Sequence, residues 1–385
     1  MTVTSKRKGY KEGEKIYRRF IKKEVPEPRQ VLDWTGKKRK PTILVFYTGG
    51  TLGMKKKRNK RTGKLELKPD LTLENLLTTI NKVVSIKKDY NIIGYHISSL
   101  DSTEINVQVW ENIGKLIMEN YENVDGVVGL GGTDTMHYTA AATAFMFRNP
   151  SIPIVYTGGQ CILNRFGTDV IMNVTSAIHL AGEDIAEVVV NFNNDIHLGS
   201  RVLKVRDDEV KGFESPMYGR VGYIGGQGLI LDDTKIHPRG AHISSNLVYS
   251  PGFDKSVLEF SLNPGTTPAL LEAAVSTSDC KAVVISSYGP GNAARWFAPQ
   301  IKEYTEEGIP VFIASQCPSG ITGSGSSYEV GSIIIEAGAV PLRDMLPHDA
   351  AVKVMKIMAD EKDCDTIKDL VVNDVYANEI TSLRK

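Results

Sequence analysis

The chain has 385 residues, with 46 Lys and Arg against 45 Asp and Glu for a formal charge of +1, and 41% apolar and 24% charged residues. This length suits two domains with buried cores, and the composition is that of an ordinary globular protein, which excludes collagenous, mucin-like and disordered classes. No apolar run approaches the ~18–20 residues of a membrane helix, and the opening MTVTSKRKGYKEGEKIYRRF lacks the apolar stretch of a secretory signal, so neither a membrane partner nor export is expected.

Charge dominates the first segment. Residues 1–40 hold fourteen Lys or Arg against five acids, +9, which leaves −8 for the remainder, and a second basic run, Lys55-Lys56-Lys57-Arg58-Asn59-Lys60-Arg61, follows. Such clusters can give salt-sensitive affinity for a polyanion. Without a nucleic-acid motif or interleaved aromatics, the preferred reading is a solvated extension and an exposed loop; a nucleic-acid partner is left open.

From residue 41 onward, β-rich runs alternate with helix-like segments. In chain order they are a strand over 42–47 (TILVFY), helices over 73–84 and 107–120, a strand over 126–130 (GVVGL), a helix over 135–147, a strand over 152–156 (IPIVY), a helix over 170–181 and a strand over 187–192 (EVVVNF). Residues 213–250 then lack helical periodicity and are rich in turn formers; GYIGGQG at Gly222–Gly228 reads as a turn into a strand. Beyond them come a helix over 268–276, a strand over 282–286 (AVVIS), a helix over 293–307 and a strand over 309–314 (IPVFIA). Continuous apolar runs bounded by Gly or Pro indicate strands buried on both faces, the signature of a parallel sheet covered by helices. The expected class is α/β, divided into a basic extension (1–40), an N-terminal α/β catalytic domain (41–240) and a C-terminal α/β domain (250–385).

Cys161, Cys280, Cys317 and Cys364 are widely separated and form no CxxC, so a reducing compartment is expected. The seven histidines include no HExxH or Cys/His cluster, and neither a metal nor a cofactor is expected.

Ligands of open parallel sheets bind beyond the strands' carboxyl ends. Two glycine turns stand there: Thr48-Gly49-Gly50-Thr51 after TILVFY and Gly131-Gly132-Thr133-Asp134-Thr135 after GVVGL. In each, glycines permit a tight turn and close backbone approach, and a hydroxyl follows. A single GGT is an ordinary turn and helix cap; two at successive buried strands suggest convergence on one crevice. Neither GxGxxG nor GxxxxGK[ST] follows the first strand, and GxSxG is absent, which removes the main support for dinucleotide, P-loop and α/β-hydrolase readings.

YTGGTLGM (47–54), LDSTEI (100–105), GGTDTMHYTAAATAFM (131–146), IVYTGGQ (154–160), LGSRVLKV (198–205), ESP (214–216) and SSYGPGNA (286–293) together resemble the bacterial-type L-asparaginase family, closest to its cytoplasmic type I branch. The resemblance implies a two-domain asparaginase-like fold, with a larger N-terminal parallel-sheet domain and a smaller C-terminal α/β domain. It implies cytoplasmic hydrolysis of L-asparagine to aspartate and ammonia, with weaker glutaminase action. By motif position, Thr51 would attack the side-chain amide carbon, and Thr133 with Lys204 would form a proton relay. Asp134 would hold the substrate ammonium and orient Lys204. Asp101, Ser102 and Gly132 would bind substrate, Ser102 at the α-carboxylate, and Asn292 would reach the site from a neighbouring subunit. That last assignment implies a homo-oligomer, dimer or tetramer.

Three departures accompany the match. The stretch KKKRNKRTGKLELKP puts Lys64 or Leu65 near the place where many members carry a lid tyrosine, and Tyr90 is too far along to replace it. Gly131-Gly132 stands where His-Gly is more usual. His137 and Tyr138 are expected to serve packing or oligomer contacts. Two other readings compete with the leading one: an amidase subunit of an archaeal-type glutamyl-tRNA(Gln) amidotransferase, and a non-hydrolytic amino-acid-binding or sensor protein. The former usually has a small β-barrel ahead of the core, which forty residues without a β-pattern cannot build.

Overall fold

Buried apolar runs lie side by side at the centre of each of two sheets. The structure is a computed structural model that describes residues 11–20, 27–36, 40–240, 246–277, 279–323 and 329–373. Lys6, Arg7, Lys8, Lys22, Lys23, Lys37, Lys38 and Arg39 of the basic extension therefore lie outside the described residues.

The strands are β1 (Arg29–Asp33), β2 (Thr42–Gly49), β3 (Met54–Arg58), β4 (Leu65–Pro69), β5 (Asn91–Leu100), β6 (Gly126–Leu130), β7 (Phe147–Arg148), β8 (Ile154–Thr157), β9 (Val188–Phe192) and β10 (Asp195–Leu198). They continue as β11 (Leu203–Lys204), β12 (Phe213–Glu214), β13 (Gly222–Gly225), β14 (Gly228–Leu231), β15 (Val248–Tyr249), β16 (Val257–Ser261), β17 (Ala282–Ser287), β18 (Val311–Ser315) and β19 (Val340–Pro341). The helices are α1 (residues 11–20), α2 (Leu73–Val83), α3 (Val107–Asn120), α4 (Met136–Met146), α5 (Val170–Ala181), α6 (Pro268–Thr277), α7 (Ala298–Glu306), α8 (Glu329–Glu336), α9 (Pro347–Asp360) and α10 (Cys364–Asn373).

The main sheet has the order β1-β5-β2-β6-β8-β9-β10-β13-β14. Its centre, β5 to β9, is parallel, as the doubly buried runs require. Four antiparallel strands extend this parallel centre, β1 at one edge and β10, β13 and β14 at the other, so the whole sheet is mixed. GYIGGQG is the β13–β14 hairpin, with strand on both sides of its turn. The basic extension also differs from the reading without β-pattern, because Arg29–Asp33 pairs antiparallel with β5. The C-terminal sheet, β16-β17-β18-β19, is parallel throughout.

Local chemistry sets the helix starts. Thr72 and Asn106 cap α2 and α3 by accepting the amides of Asn75 and Gln108, at 3.2 and 3.0 Å. Helices α2 and α5 cover one face of the main sheet, around Ile43, Val45 and Val170. On the other face, α3 and α4 share a core with Phe46 and Phe145 that continues without a break to α9 of the second domain. Helix α4 has no polar face: its residues are buried apart from the half-buried Tyr138, because the sheet, α3 and α9 surround it. Among the described residues, no helix is long and apolar enough to cross a membrane.

Phe145 is fully buried where α4 meets this shared core. Phe145→Ala is expected to cost about 3–5 kcal/mol in urea unfolding; a cost near zero would show that the α4 layer is not packed as described.

Candidate active site

Strands β2 and β6 are adjacent, yet the chain leaves their carboxyl ends toward opposite faces, to α2 from β2 and to α4 from β6. Ligands of open α/β sheets bind at such a switch point. There the two glycine turns meet. A Cβ on Gly50 would overlap the backbone N and Cα of Gly132, and one on Gly132 would stand 2.6 Å from Ser102 Cβ. Gly50 also has φ 93°, a left-handed conformation that favours glycine. Thr51 follows directly, half-buried, at the start of a short 3-10 turn (Thr51–Gly53) whose Gly53 amide donates to the Gly50 carbonyl at 3.1 Å.

The second turn carries the polar network. Lys204 Nζ, whose side chain is 11% exposed, donates to Thr133 Oγ1 at 2.8 Å and to Asp134 Oδ1 at 2.6 Å. Ser102 Oγ donates to Asp134 Oδ2 at 3.1 Å, and Thr135 Oγ1 donates to the Ser102 carbonyl at 2.7 Å, fastening the turn after β5 to the start of α4. Thr133, Asp134, Lys204, Ser102 and Gly132 are thus brought together, and Gly50, which directly precedes Thr51, abuts Gly132.

Gln160 is the member that sequence reasoning missed. Its Nε2 donates to the carbonyls of Arg206 and Glu209 at 3.2 and 3.1 Å, which turns Oε1 toward Thr133 Oγ1, 3.1 Å away. The Thr133 hydroxyl therefore donates to Gln160 and offers its lone pairs to Lys204. The Gln160 amide is in turn held by Asp169 Oδ2 at 2.8 Å. The available signal was a third glycine-pair turn, TGGQ after the third buried strand, in register with TGGT and LGGT.

Other expected site residues have different bonding partners. Asp101 turns its carboxylate onto Thr103, accepting its amide at 3.0 Å and its hydroxyl at 2.8 Å. Asn292 lies in the turn after β17, where it exchanges backbone hydrogen bonds with Tyr288 at 3.0 and 2.8 Å. Among the described residues, neither makes a hydrogen bond or ion pair with the Thr133–Lys204 network. Lys64 and Leu65 sit exposed at the far end of the β3–β4 hairpin, ~13 Å along the strand from Met54. Tyr90 is at the opposite end of the sheet, hydrogen-bonded to His179 at 2.7 Å. His137 and Tyr138 pack on His348 of α9, with ring centroids 4.6 and 5.3 Å away. Burial, aided by the charges of His348 and Lys204, keeps His137 neutral by lowering its pKa to about 2. The four cysteines are free, and no cluster of three or more His, Cys, Asp or Glu suited to a metal occurs among the described residues.

The Lys204 hydrogen bond lowers the Asp134 pKa below the ordinary carboxylate value; partial burial opposes this, while the lysine charge and the Ser102 hydroxyl add to it. The carboxylate's contribution to stability is therefore fully present above ~3.9, the unfolded value, and is lost as pH falls through the lower folded value. In a carbon-13 NMR titration the Asp134 midpoint is expected below that of a free aspartate and should rise in Lys204→Met; an unmoved midpoint would contradict the pairing. Gly50→Ala is expected to cost about 3 kcal/mol or more in chemical denaturation, or to prevent folding, since it combines a left-handed φ with a backbone overlap.

Comparison with known proteins gives the family of the chain. The family model described as Asparaginase, N-terminal matches residues 42–236, and that of the Glutaminase/Asparaginase C-terminal domain matches residues 256–371. A glutamyl-tRNA(Gln) amidotransferase subunit of Methanosarcina acetivorans is 32% identical over 369 residues, covering 93% of this chain and 81% of the relative. L-asparaginase of Thermococcus kodakarensis is 29% identical over 344 residues, covering 88% of this chain and 99% of the relative. The crystal structure of L-asparaginase I from Vibrio cholerae superposes with a TM-score of 0.77 at 26% identity, covering 89% of this chain and all of that one. Matched by family models across both sheets and by relatives over most of its length, the chain belongs to the asparaginase family.

Proposed function

We propose that the protein is an L-asparagine amidohydrolase that acts through Thr51 as nucleophile. The observation that supports this reading is the Gly50–Gly132 contact, each glycine directly preceding a threonine, together with the bonds of Lys204 to Thr133 and Asp134. Thr51 Oγ loses its proton as it adds to the side-chain amide carbon, and ammonia departs with the added proton. A water then cleaves the acyl ester, releasing aspartate and restoring the hydroxyl. A threonine hydroxyl needs an acceptor for its proton; the Thr133–Lys204 relay is the assigned one, acting with the amine uncharged and the Thr133 O–H turned from Gln160 to Lys204 Nζ, which then holds the proton until it passes to the leaving ammonia. Asp134 is half exposed at the crevice and takes the substrate ammonium; Ser102 and the Gly132 backbone receive the α-carboxylate. Asn292 makes no bond to this network within its own chain, in keeping with service to the site of a second copy in a homo-oligomer.

The name of the Methanosarcina relative favours a second reading, the amidase half of a two-protein amidotransferase. Ammonia release by the purified chain across asparagine and glutamine concentrations separates the two: release without a partner supports the first, and release only with a partner supports the second. A one-methylene difference is worth only ~1–3 kcal/mol, so the two amides are expected to differ by no more than about 10–200-fold in kcat/KM. Thr51→Ala is expected to abolish turnover while leaving the fold and much of the ligand affinity. Lys204→Met should lower kcat by about 10²–10⁴-fold. Normal turnover by either variant would remove that residue from its role.

A further inference from the structure

Lys204 sits on a strand of two residues whose sole ladder partner among the described residues is the equally short β12, apart from the main sheet. A pair that short holds its own position weakly, yet Nζ must keep bonds of 2.8 and 2.6 Å to Thr133 and Asp134. The residues just before Lys204 are held from the other domain. Arg201, 4% exposed, places Nη1 3.3 Å from Oδ2 of Asp344, in the turn that leads into α9. The Val202 carbonyl accepts from Nε2 of His348 at 3.1 Å, and the Val202 side chain is wholly buried in the core shared by the domains. On the other side of Lys204, Gln160 Nε2 binds the Arg206 and Glu209 carbonyls.

We propose that His348 and the Arg201–Asp344 pair are positioning residues for Lys204: the C-terminal domain straps the 201–204 segment in place and so decides where the lysine amine stands. This rests on the assignment of Lys204 to the proton relay.

The chemistry of the strap is specific. A carbonyl only accepts, so the His348 Nε2 must carry a proton. Full burial disfavours the charged ring, but Asp349 Oδ1 at 3.2 Å, the charge of Glu259 on β16 and the Val202 carbonyl together raise its pKa above the ordinary value. The facing groups from α4 are Tyr138 and the neutral His137, whose ring meets His348 edge-on. Arg201 and Asp344 lie in the segments that His348 bridges. Apolar packing alone would place Val202 but would leave its carbonyl free to turn; the ring and the ion pair fix the backbone direction on both sides of that residue.

Two variants of His348 separate positioning from bulk packing. His348→Leu keeps an apolar side chain and removes the donor, whereas His348→Gln restores a neutral N–H near Nε2. Asp344→Asn removes the charge opposite Arg201 at nearly constant volume. Each is read by steady-state kinetics on asparagine and by hydrogen exchange at the amides of Leu203, Lys204 and Val205, with peptides from β2 and β6 as internal reference. The expectation for His348→Leu is a kcat lowered about tenfold or more with KM within about threefold of wild type. Exchange should quicken in the 203–205 segment alone, with both effects largely recovered in His348→Gln and the same pattern, milder, in Asp344→Asn. Wild-type exchange at 203–205 in His348→Leu, equal damage in the Leu and Gln variants, or faster exchange throughout the molecule would each overturn the strap. Exchange needs no turnover, so a normal kcat in Lys204→Met would refute the Lys204 assignment while the exchange data still judged the strap.

Discussion

The close approach of Gly50 to Gly132 is the constraint on which the rest of the crevice depends. Two strands that run side by side bring their turns near each other, but a side chain on either residue would hold the turns apart. With both side chains absent, the backbones touch, Ser102 rests against Gly132, and the residues that follow each glycine face one space. The left-handed φ of Gly50 reverses the chain quickly enough for Thr51 to begin its short turn at the crevice edge. The conformational freedom of glycine is thus used twice, for the backbone angle and for the missing Cβ.

Around that contact, the electrostatics are arranged by partners from distant parts of the chain. Lys204 is 71 residues from Thr133 and 70 from Asp134. Gln160 sets the direction of the Thr133 hydroxyl only because two carbonyls near residue 206 fix its own amide. The two domains are joined by an apolar core through α4 and α9, and this joint also carries polar bonds. His348 and Asp344, at the start of α9, reach across it to the segment that bears Lys204. The C-terminal domain therefore bears on the segment of Lys204 through His348 and Asp344, while Ser102, Thr133, Asp134 and Gln160 come from the first domain.

Much of this was legible from residue order. The helices at Val107–Asn120 and Val170–Ala181 have the bounds that periodicity indicates, because each turns a continuous apolar stripe to a sheet. The buried strands after residue 40 follow from uninterrupted apolar runs. Strand β5 was not foreseen: NIIGYHISSL mixes Gly, His and Ser with apolar residues, and its burial alternates irregularly because β1 covers only part of one edge. Helix α9 was overlooked for a related reason. Asp349, Lys353 and Lys356 are buried with the apolar residues, so polar letters fall on the inward face and break the pattern. Gln160 escaped notice because an amide after two glycines reads as an ordinary turn.

What the sequence determined alone was most of the buried strands, most of the helices that cover them, and the two glycine corners with a threonine after each. These are local facts, set by side-chain polarity and by backbone angles within a few residues. Tertiary structure alone decided that β2 lies between β5 and β6, that Gly50 meets Gly132, and that Lys204 swings in beside Thr133 while Asp101 turns to Thr103 and Asn292 stands apart. Those outcomes depend on strand order, on the opposite faces taken by the chain after β2 and β6, and on hydrogen bonds between residues tens of positions apart. Such bonds have direction and distance, which a linear pattern of polar and apolar letters does not carry.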